Sequence, residues 1–310
     1  MKALKPLLGG VELGGTKCVC LIGTGPDDIR ERIAIPTGGD ANETLSQIET
    51  ILRGWNSSQG PIAALGIASF GPVDLDRTSA RYGSITSTAK PGWRNTDVAR
   101  RLAKLFPVPV GFDTDVNGAA LAEGRWGAAK HLADFAYVTV GTGVGVGLVI
   151  DGRPAYGFSH SELGHIRIAR KPGDVWQGAC EFHGDCVEGL ASGVAIAARA
   201  GLPASEVPHD SPVWELVAHA LAQLLHTIVL ATAPRRILIG GGVTEGRPEL
   251  LLCVRRQLVE SLNGYLKLDE LTGGIDDYAV PPGLGALAGP LGALALAADT
   301  IWPHQTLHSQ

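Results

Sequence analysis

Two short glycine–threonine turns constrain the fold of this chain more than any other feature. Each turn lies between two apolar stretches of strand length, a pattern that predicts an antiparallel hairpin. Alternating helical and strand patterns follow each hairpin, so the sequence predicts an α/β chain built from two halves that are similar in pattern and not in residue identity. The turns are Gly14-Gly15-Thr16, between strand candidates 7–13 and 17–23, and Gly141-Thr142-Gly143, between strand candidates 135–140 and 144–150.

Hydrophobic periodicity predicts the remaining elements. The first half continues with a strand, a helix, a strand, an irregular region, a helix and a strand, at 29–35, 42–55, 62–68, 70–94, 95–105 and 108–113. The second half has helices at 115–129, near 189–200, at 212–233, 247–262 and 285–299, and a strand at 235–239. The predicted domains are 1–117 and 118–310, and the last helix is a candidate to pack back on the N-terminal domain.

The composition favours a compact enzyme. The chain has 310 residues, of which 45% are hydrophobic and 18% charged, and a formal net charge of −5. It therefore lacks the basic surface of a protein that binds nucleic acid or an anionic membrane. We expect no apolar run long enough to span a bilayer. Five cysteines without a hydrophobic signal core are typical of a reducing compartment, so we expect a cytoplasmic protein.

Two thiols and two imidazoles lie in the short segment 160–189. Cys180, His183 and Cys186 have the spacing of metal ligands, and His165 is available as a fourth. This ligand set predicts a tetrahedral Zn²⁺ site.

Other polar residues of the same segment have different interpretations. Glu162, Glu181 and Glu188 interleave with the metal-ligand candidates and suggest that a polar small molecule is held beside the metal. His160 and His165 superficially match a zinc-protease helix, but they are five residues apart and would lie about 140° apart on a helix. We interpret His160 as structural.

Three glycine-rich loops follow predicted strands. Gly14-Gly15-Thr16-Lys17 offers unobstructed backbone N–H groups, a hydroxyl and an ammonium, which together suit a phosphate. Gly141-Thr142-Gly143 is a second such turn, and Gly240-Gly241-Gly242 ends a strand where open α/β sheets bind ligands. None has the spacing of a Walker loop. Each alone could be a simple turn, but that interpretation is hard to sustain for all three, and together they indicate a phosphate-binding site.

Asp115 lies where a predicted strand ends and an alanine-rich helix begins. One interpretation is that Asp115 is the N-cap of the helix, a position that aspartate favours. The other makes it a general base that accepts the proton of a substrate hydroxyl attacking phosphorus. The sequence leaves both open.

In combination and order, these motifs resemble the ROK family of sugar kinases, repressors and open reading frames, in its fructokinase-like branch. The resemblance extends from Gly9 to about Ala298. The matching segments are GVELGGTK (10–17), SFGP (69–72), AKPGW (89–93), DTDVN (113–117), GTG (141–143), ELGH (162–165), CEFHGDCVE (180–188), GGG (240–242) and PGLG (282–285).

The resemblance implies an actin-like, ribonuclease H-like two-domain fold of the hexokinase type, with ATP and a hexose in the interdomain cleft. It implies Asp115 as the general base, a structural Zn²⁺ on His165, Cys180, His183 and Cys186, Mg²⁺ bound with ATP, and a homodimer. The sugar contacts that it implies are Gly71, Pro72, Lys90, Thr114, Glu162, His165 and Glu188. The nucleotide contacts are Gly14, Gly15, Thr16, Lys17, Gly141, Thr142, Gly143, Gly193, Val194, Gly240, Gly241, Gly242 and Val243.

Departures from the family pattern bear on the substrate. Glu12 stands where many actin-fold kinases have Asp, and Thr114 stands where glucokinase-like members have Asn. The second departure favours fructose over glucose or an N-acetylated sugar, and a kinase for mannose, glucose or N-acetylmannosamine is the alternative. A sugar-responsive repressor is the alternative of another class, but the phosphate hairpin begins within the first 17 residues and leaves no room for a helix-turn-helix domain.

Overall fold

In the computed structural model, residues 5–267 and 274–302 are described. The chain forms two compact units. The first comprises Met1–His131, Asp151–His160 and Leu287–Gln310, and the second comprises Leu132–Ile150 and Ser161–Ala286.

The first unit is a sheet with helices against it. Its elements are β1 (Leu8–Leu13), β2 (Lys17–Gly25), β3 (Asp28–Pro36), α1 (Ala41–Ser58), β4 (Ala64–Ser69), β5 (Ser84–Ile85), β6 (Thr96–Asp97), α2 (Ala99–Ala103), β7 (Val110–Thr114), α3 (Asp115–Trp126), the short strand β10 (Arg153–Pro154) and the last helix. The main sheet has the order β3-β2-β1-β4-β7. The pairs β1–β2 and β2–β3 are antiparallel, whereas β1–β4 and β4–β7 are parallel.

The second unit repeats this topology. Its elements are β8 (Phe135–Val140), β9 (Val144–Ile150), α4 (Val187–Ala191), α5 (Gly193–Ala200), α6 (Val213–Thr232), β11 (Ile237–Gly240), α7 (Gly242–Glu245), α8 (Glu249–Leu262), α9 (Ile275–Tyr278) and β12 (Ala279–Val280). Strands β9-β8-β11-β12 are neighbours in that order, with β8–β9 antiparallel and both other pairs parallel. An antiparallel hairpin followed by parallel strands therefore occurs in both units, as the two glycine–threonine turns indicate.

Several predicted boundaries need correction. The helix predicted near 189–200 is two helices, because the Ser192 hydroxyl caps α5 by accepting from the Ala195 N–H. The helix predicted over 95–105 is reduced to α2, because β6 occupies Thr96–Asp97. The predicted last helix is α10 (Ala288–Ile301).

The boundary between the units lies after His131 and not at 117. Local pattern places α3 at the start of the second half, but α3 packs on α10, and both helices belong to the first unit. Contact between these distant segments is possible because small residues face each other: a Cβ on Gly292 would lie 2.4 Å from the carbonyl carbon of Gly118.

One helix passes the length and composition test for a membrane span, contrary to the expectation that none would. It is α6, Val213–Thr232. Its buried residues, among them Trp214, Leu221 and Ile228, belong to the hydrophobic core of the second unit, where α6 packs against α4 and α8. Burial of this kind is typical of the core helix of a globular domain.

Helix α10 approaches the sheet of the first unit at Gly66 of β4. A Cβ at this position would lie 1.8 Å from the Ala293 carbonyl oxygen and 2.6 Å from the Ala297 nitrogen. Because both are backbone atoms, no side-chain rotation can relieve the overlap, and we expect Gly66→Ala to lower the free energy of unfolding by about 3 kcal/mol or more.

The matched control is Gly54→Ala. Gly54 is exposed in α1 with no atom near its missing Cβ, so we expect a gain of about 0.5–1 kcal/mol. Urea unfolding of both variants is the measurement. A Gly66→Ala protein as stable as the wild type would contradict the described packing of α10.

Candidate active site and metal centre

Asp115 is the first residue of α3, directly after β7. The N-cap is the preceding Thr114, whose hydroxyl accepts from the Asn117 N–H at 3.1 Å. The interpretation of Asp115 as the N-cap is therefore wrong. Its carboxylate instead accepts from the Val116 N–H at 2.9 Å, at the positive end of the helix. Thr114, which the resemblance assigns to the sugar, is buried and uses its hydroxyl oxygen in the cap.

Asp115 and Glu12 are two carboxylates with raised pKa values. Burial raises the pKa of Asp115 to about 6, although the N–H groups of Val116 and of Asp115 itself, and His160, oppose the shift. Burial and the charge of Asp115 raise the pKa of Glu12 to about 7, against the opposing charge of Lys17. A carboxylate with a pKa near 6 is largely ionised at neutral pH and still basic enough to take a proton.

The first turn of α3 is held by a network that the sequence did not reveal. The Asp113 carboxylate is buried and accepts from the Thr114 N–H at 2.7 Å and from Asn117 Nδ2 at 2.8 Å. The Tyr156 hydroxyl donates to the other oxygen of Asp113. Burial raises the pKa of Asp113, and these three hydrogen bonds oppose the rise. Because Asp113 and Tyr156 are 43 residues apart, no local pattern indicates the contact.

The Gly14–Lys17 turn is closed by the Gly14 N–H, which donates to the Lys17 carbonyl at 3.0 Å. Thr37, which the sequence analysis did not identify, follows β3 and makes two hydrogen bonds to the turn. Its hydroxyl donates to the Gly14 carbonyl at 2.7 Å, and its N–H donates to the Thr16 carbonyl at 2.9 Å. Gly15, Thr16 and Lys17 are exposed, as a phosphate-binding turn requires.

The segment that contains Gly71 and Pro72 is connected to the carboxylates through His160. His160 is buried, and its Nε2 accepts from the N–H of Val73 at 3.1 Å. Its position agrees with the interpretation of His160 as structural, and its influence on the pKa of Asp115 also places it near the predicted base.

Lys90 lies close enough to Cys18, the residue after the Gly14–Lys17 turn, to affect the pKa of its thiol. Burial raises the pKa of the Cys18 thiol to about 11, and the ammonium of Lys90 opposes that rise. The backbone around Lys90 is ordered by Trp93, which is fully buried, donates from Nε1 to the Gly38 carbonyl at 2.8 Å and donates from its N–H to the Lys90 carbonyl at 3.3 Å.

The four predicted zinc ligands form one cluster in the second unit. The ligand atoms of His165, Cys180, His183 and Cys186 all lie within 4.8 Å of one another. His165 Nδ1 is 3.6 Å from both sulfur atoms and 3.3 Å from His183 Nδ1. Tetrahedral Zn²⁺ with Zn–S near 2.3 Å and Zn–N near 2.0–2.1 Å requires S···N separations of about 3.5 Å and N···N separations of about 3.4 Å. These residues fit zinc.

Charged contacts hold the loop that bears the ligands. Asp185 lies between His183 and Cys186, and its two oxygens accept from Arg167 and Arg170, each at 3.0 Å. Arg170 also donates to the Trp176 carbonyl at 2.9 Å. Burial raises the pKa of the Cys186 thiol to about 12, and the Gly189 N–H, which donates to Cys186 Sγ at 3.4 Å at the start of α4, opposes the rise.

The structure places the two predicted sugar-binding glutamates in different surroundings. Glu162 is exposed and begins the tight turn Leu163–His165, where its carbonyl accepts from the His165 N–H at 2.9 Å. Glu188 lies in α4 between the metal cluster and the second phosphate turn, with Oε1 3.8 Å from His165 Nε2.

The remaining predicted nucleotide residues are neighbours in the second unit. The Gly193 N–H, at the start of α5, donates to the Gly141 carbonyl at 2.7 Å, and a Cβ on Gly193 would lie 3.6 Å from the Val243 side chain. Gly241 has a φ of +97°, and a Cβ there would lie 2.5 Å from the Val140 carbonyl oxygen, so only glycine fits. The other members of this set, Thr142, Gly143, Val194, Gly240 and Gly242, belong to the same loops or adjoin these residues.

Comparisons with known proteins agree with this geometry. The model of the ROK family matches residues 8–300. The fructokinase of Pediococcus pentosaceus is 39% identical over 94% of this chain and 97% of its own, and that of Zymomonas mobilis is 42% identical over 96% and 98%. The crystal structure of a ROK hexokinase from Thermus thermophilus superimposes with a TM-score of 0.75 at 26% identity, covering 95% of this chain and 99% of that one.

Two α/β units that each contain an antiparallel hairpin followed by parallel strands define the actin-like fold of sugar kinases, as the resemblance implied. Within that class, the chain belongs to the ROK family.

The metal cluster yields a prediction on zinc content. We expect the purified chain to bind one Zn²⁺ and Cys180→Ser to lose it, with a fall in unfolding free energy of about 3 kcal/mol when free zinc is about 100-fold above the dissociation constant. Metal analysis and thermal unfolding with and without chelator are the measurements. Cys253→Ser is the control, because Cys253 lies in α8 outside the cluster. Unchanged stability after chelation would contradict the structural role of the metal.

The raised pKa of Asp115 yields a prediction on stability. An acid whose pKa is higher in the folded state than in the unfolded state destabilises the fold once pH exceeds its unfolded value, here 3.8, and the penalty is complete above about 6. We therefore expect Asp115→Asn to be more stable than the wild type at pH 8, by about 1–3 kcal/mol, and equally stable near pH 4. Urea titrations at both pH values are the measurement. An Asp115→Asn variant that is less stable than the wild type at pH 8 would contradict a raised pKa of Asp115.

Proposed function

We propose that the chain is an ATP-dependent hexose kinase that acts on D-fructose and produces fructose 6-phosphate and ADP. The observation that carries the proposal is the carboxylate of Asp115 at the start of α3, with a pKa raised to about 6 by burial. Membership of the ROK family and the fructokinase names of relatives 39% and 42% identical over nearly the whole chain support the sugar class.

The proposed reaction is a phosphoryl transfer. The oxygen of the sugar hydroxyl forms a bond to the γ-phosphorus of ATP, the bond from that phosphorus to the bridging oxygen of ADP breaks, and Asp115 accepts the hydroxyl proton. Such chemistry needs positioned groups and neutralised charge more than covalent help from the protein. The exposed turn Gly14–Lys17 supplies N–H groups, a hydroxyl and an ammonium to the phosphates.

In this proposal, residues of the second unit bind the sugar, the nucleotide and Zn²⁺. Glu162, His165 and Glu188 contact sugar hydroxyls, with Gly71, Pro72, Lys90 and Thr114 of the first unit as the further sugar contacts. The loops of Gly141–Gly143, Gly193–Val194 and Gly240–Val243 receive the nucleotide. The cluster offers Zn²⁺ four protein ligands, the number of a closed structural site, so its proposed role is to orient His165 and its neighbours.

The remaining parts of the proposal follow from the resemblance. Mg²⁺ accompanies ATP and neutralises charge on its phosphates. The protein is a homodimer in the cytoplasm. A kinase for mannose, glucose or N-acetylmannosamine is the alternative, because one missing or added hydroxyl contact can change discrimination greatly.

A coupled ADP-release assay with Mg²⁺·ATP tests the reaction and the sugar together. We expect fructose to give the highest kcat/KM among fructose, mannose, glucose and N-acetylmannosamine. We expect Asp115→Asn to lower kcat by about 10²–10⁴-fold, the usual contribution of a general base. Asp210→Asn, an exposed carboxylate of the second unit, is the control and should be unchanged.

The pH dependence supplies a separate criterion. Because the base must be ionised, we expect kcat/KM to fall as pH drops through about 6. An Asp115→Asn variant that turns over as fast as the wild type, or a wild type without ATP-dependent turnover of any of the four sugars, would refute the proposal.

A further inference from the structure

The carboxylate of Glu188 contacts two different segments of the second unit. Its Oε2 accepts from the Val144 N–H at 3.0 Å, and its Oε1 is 3.8 Å from His165 Nε2. Val144 is the first residue of β9 and comes directly after the turn Gly141–Gly143. One side chain thus joins a predicted zinc ligand to a predicted phosphate turn.

Two backbone hydrogen bonds contribute to the shape of the turn. The Gly141 N–H closes it by donating to the Gly143 carbonyl at 2.9 Å, and the Gly193 N–H donates to the Gly141 carbonyl at 2.7 Å. Both are backbone contacts on the Gly141 side. On the Gly143 side, the Glu188 carboxylate lies so close that a Cβ on Gly143 would be 2.5 Å from Oε2. The absence of a side chain at Gly143 admits this carboxylate.

The orientation of His165 connects the carboxylate to the metal cluster. His165 Nδ1 faces the sulfur atoms of Cys180 and Cys186, at 3.6 Å each, so Nε2 is directed away from the cluster, toward Glu188. An imidazole that binds a metal through Nδ1 carries its proton on Nε2, and carboxylates commonly receive the second N–H of a metal-bound histidine.

We propose that Glu188 is a positioning residue for the nucleotide phosphates. Its Oε2 holds the Gly141–Gly143 turn in the conformation that binds phosphate, and its Oε1 faces His165 Nε2 at 3.8 Å on the side of the zinc site. This role is additional to a sugar contact, which accounts for neither the Val144 hydrogen bond nor the fit to Gly143. It rests on the proposed function, in that the turn must bind the phosphates of ATP.

Binding of a nonhydrolysable ATP analogue without sugar tests the proposal. The titration uses the zinc-loaded full chain with Mg²⁺ and AMPPNP. We expect Glu188→Ala to weaken binding about tenfold or more, the usual effect of losing a hydrogen bond to a charged group. Glu188→Gln should stay within about threefold of the wild type, because its amide oxygen can accept the same N–H. Glu206→Gln, an exposed glutamate of the same unit, is the control.

Hydrogen exchange at the Val144 amide gives a readout that a sugar contact would not affect. Without nucleotide, the exchange should accelerate in Glu188→Ala and remain slow in Glu188→Gln. Wild-type AMPPNP affinity or wild-type Val144 exchange in a folded, zinc-loaded Glu188→Ala protein would overturn the proposal.

Two further outcomes remain informative. If Glu188→Ala does not fold, Gly143→Ala takes its place, because the added Cβ displaces Oε2 and should also accelerate exchange at Val144; unchanged exchange then overturns the proposal. If the wild type does not bind AMPPNP, the kinase function fails and so does the nucleotide role of Glu188, while slow Val144 exchange that is lost in Glu188→Ala would still show that the side chain holds the turn.

Discussion

Parallel pairing of strands is the constraint from which the candidate site follows. In the first unit β1, β4 and β7 run side by side in one direction, so their carboxyl ends meet at one edge of the sheet. Glu12 lies near the end of β1, the segment with Gly71 and Pro72 follows β4, and Asp115 follows β7. The parallel pair β8–β11 brings the turns after Val140 and Gly240 to one edge in the same way. Ligand sites at such edges are general in open α/β sheets.

The same edge imposes an electrostatic cost. Burial is the main cause of the raised pKa values of Glu12 and Asp115. The charge of Asp115 raises the pKa of Glu12 further. Lys17 only partly offsets this repulsion for Glu12. Neutral side chains would avoid this cost, and carboxylates with raised pKa values are typical of functional sites. The contact of Gly289 with Glu12, where a Cβ would be 2.0 Å from Oε1, shows how closely α10 covers one of them.

The parts of the structure that were predictable from the sequence are those encoded by nearby residues. The two hairpin turns, the Cys/His ligand set and the strand–helix junction at Asp115 each occupy a few consecutive positions, and the structure has the hairpins, the cluster and the junction where the sequence places them. The N-cap is assigned to the wrong residue because Thr114 and Asp115 are both good capping residues, and only the backbone geometry distinguishes them.

Contacts between segments that are distant in the sequence explain the other differences between the predicted and the observed structure. The domain boundary depends on α10 meeting α3, and the network around Asp113 depends on Tyr156, 43 residues away. The hydrogen bond of Thr37 to Gly14 spans 23 residues. Apolar composition marks α6 as a possible membrane span, and only its packing on α4 and α8 identifies it as a core helix. Periodicity reports which face of an element is apolar, but it does not report the partner of that face.

On the proposed function, Glu188 acts on both the sugar and the turn that binds the nucleotide phosphates. A carboxylate has two oxygens, and here the Val144 N–H occupies Oε2 while Oε1 faces His165. If a sugar binds at Glu188 as proposed, its hydroxyl would approach Oε1, on the side of His165. On the proposed function, the zinc site thus positions the sugar contact and the phosphate turn through the same side chain, without contributing a ligand position to the reaction itself.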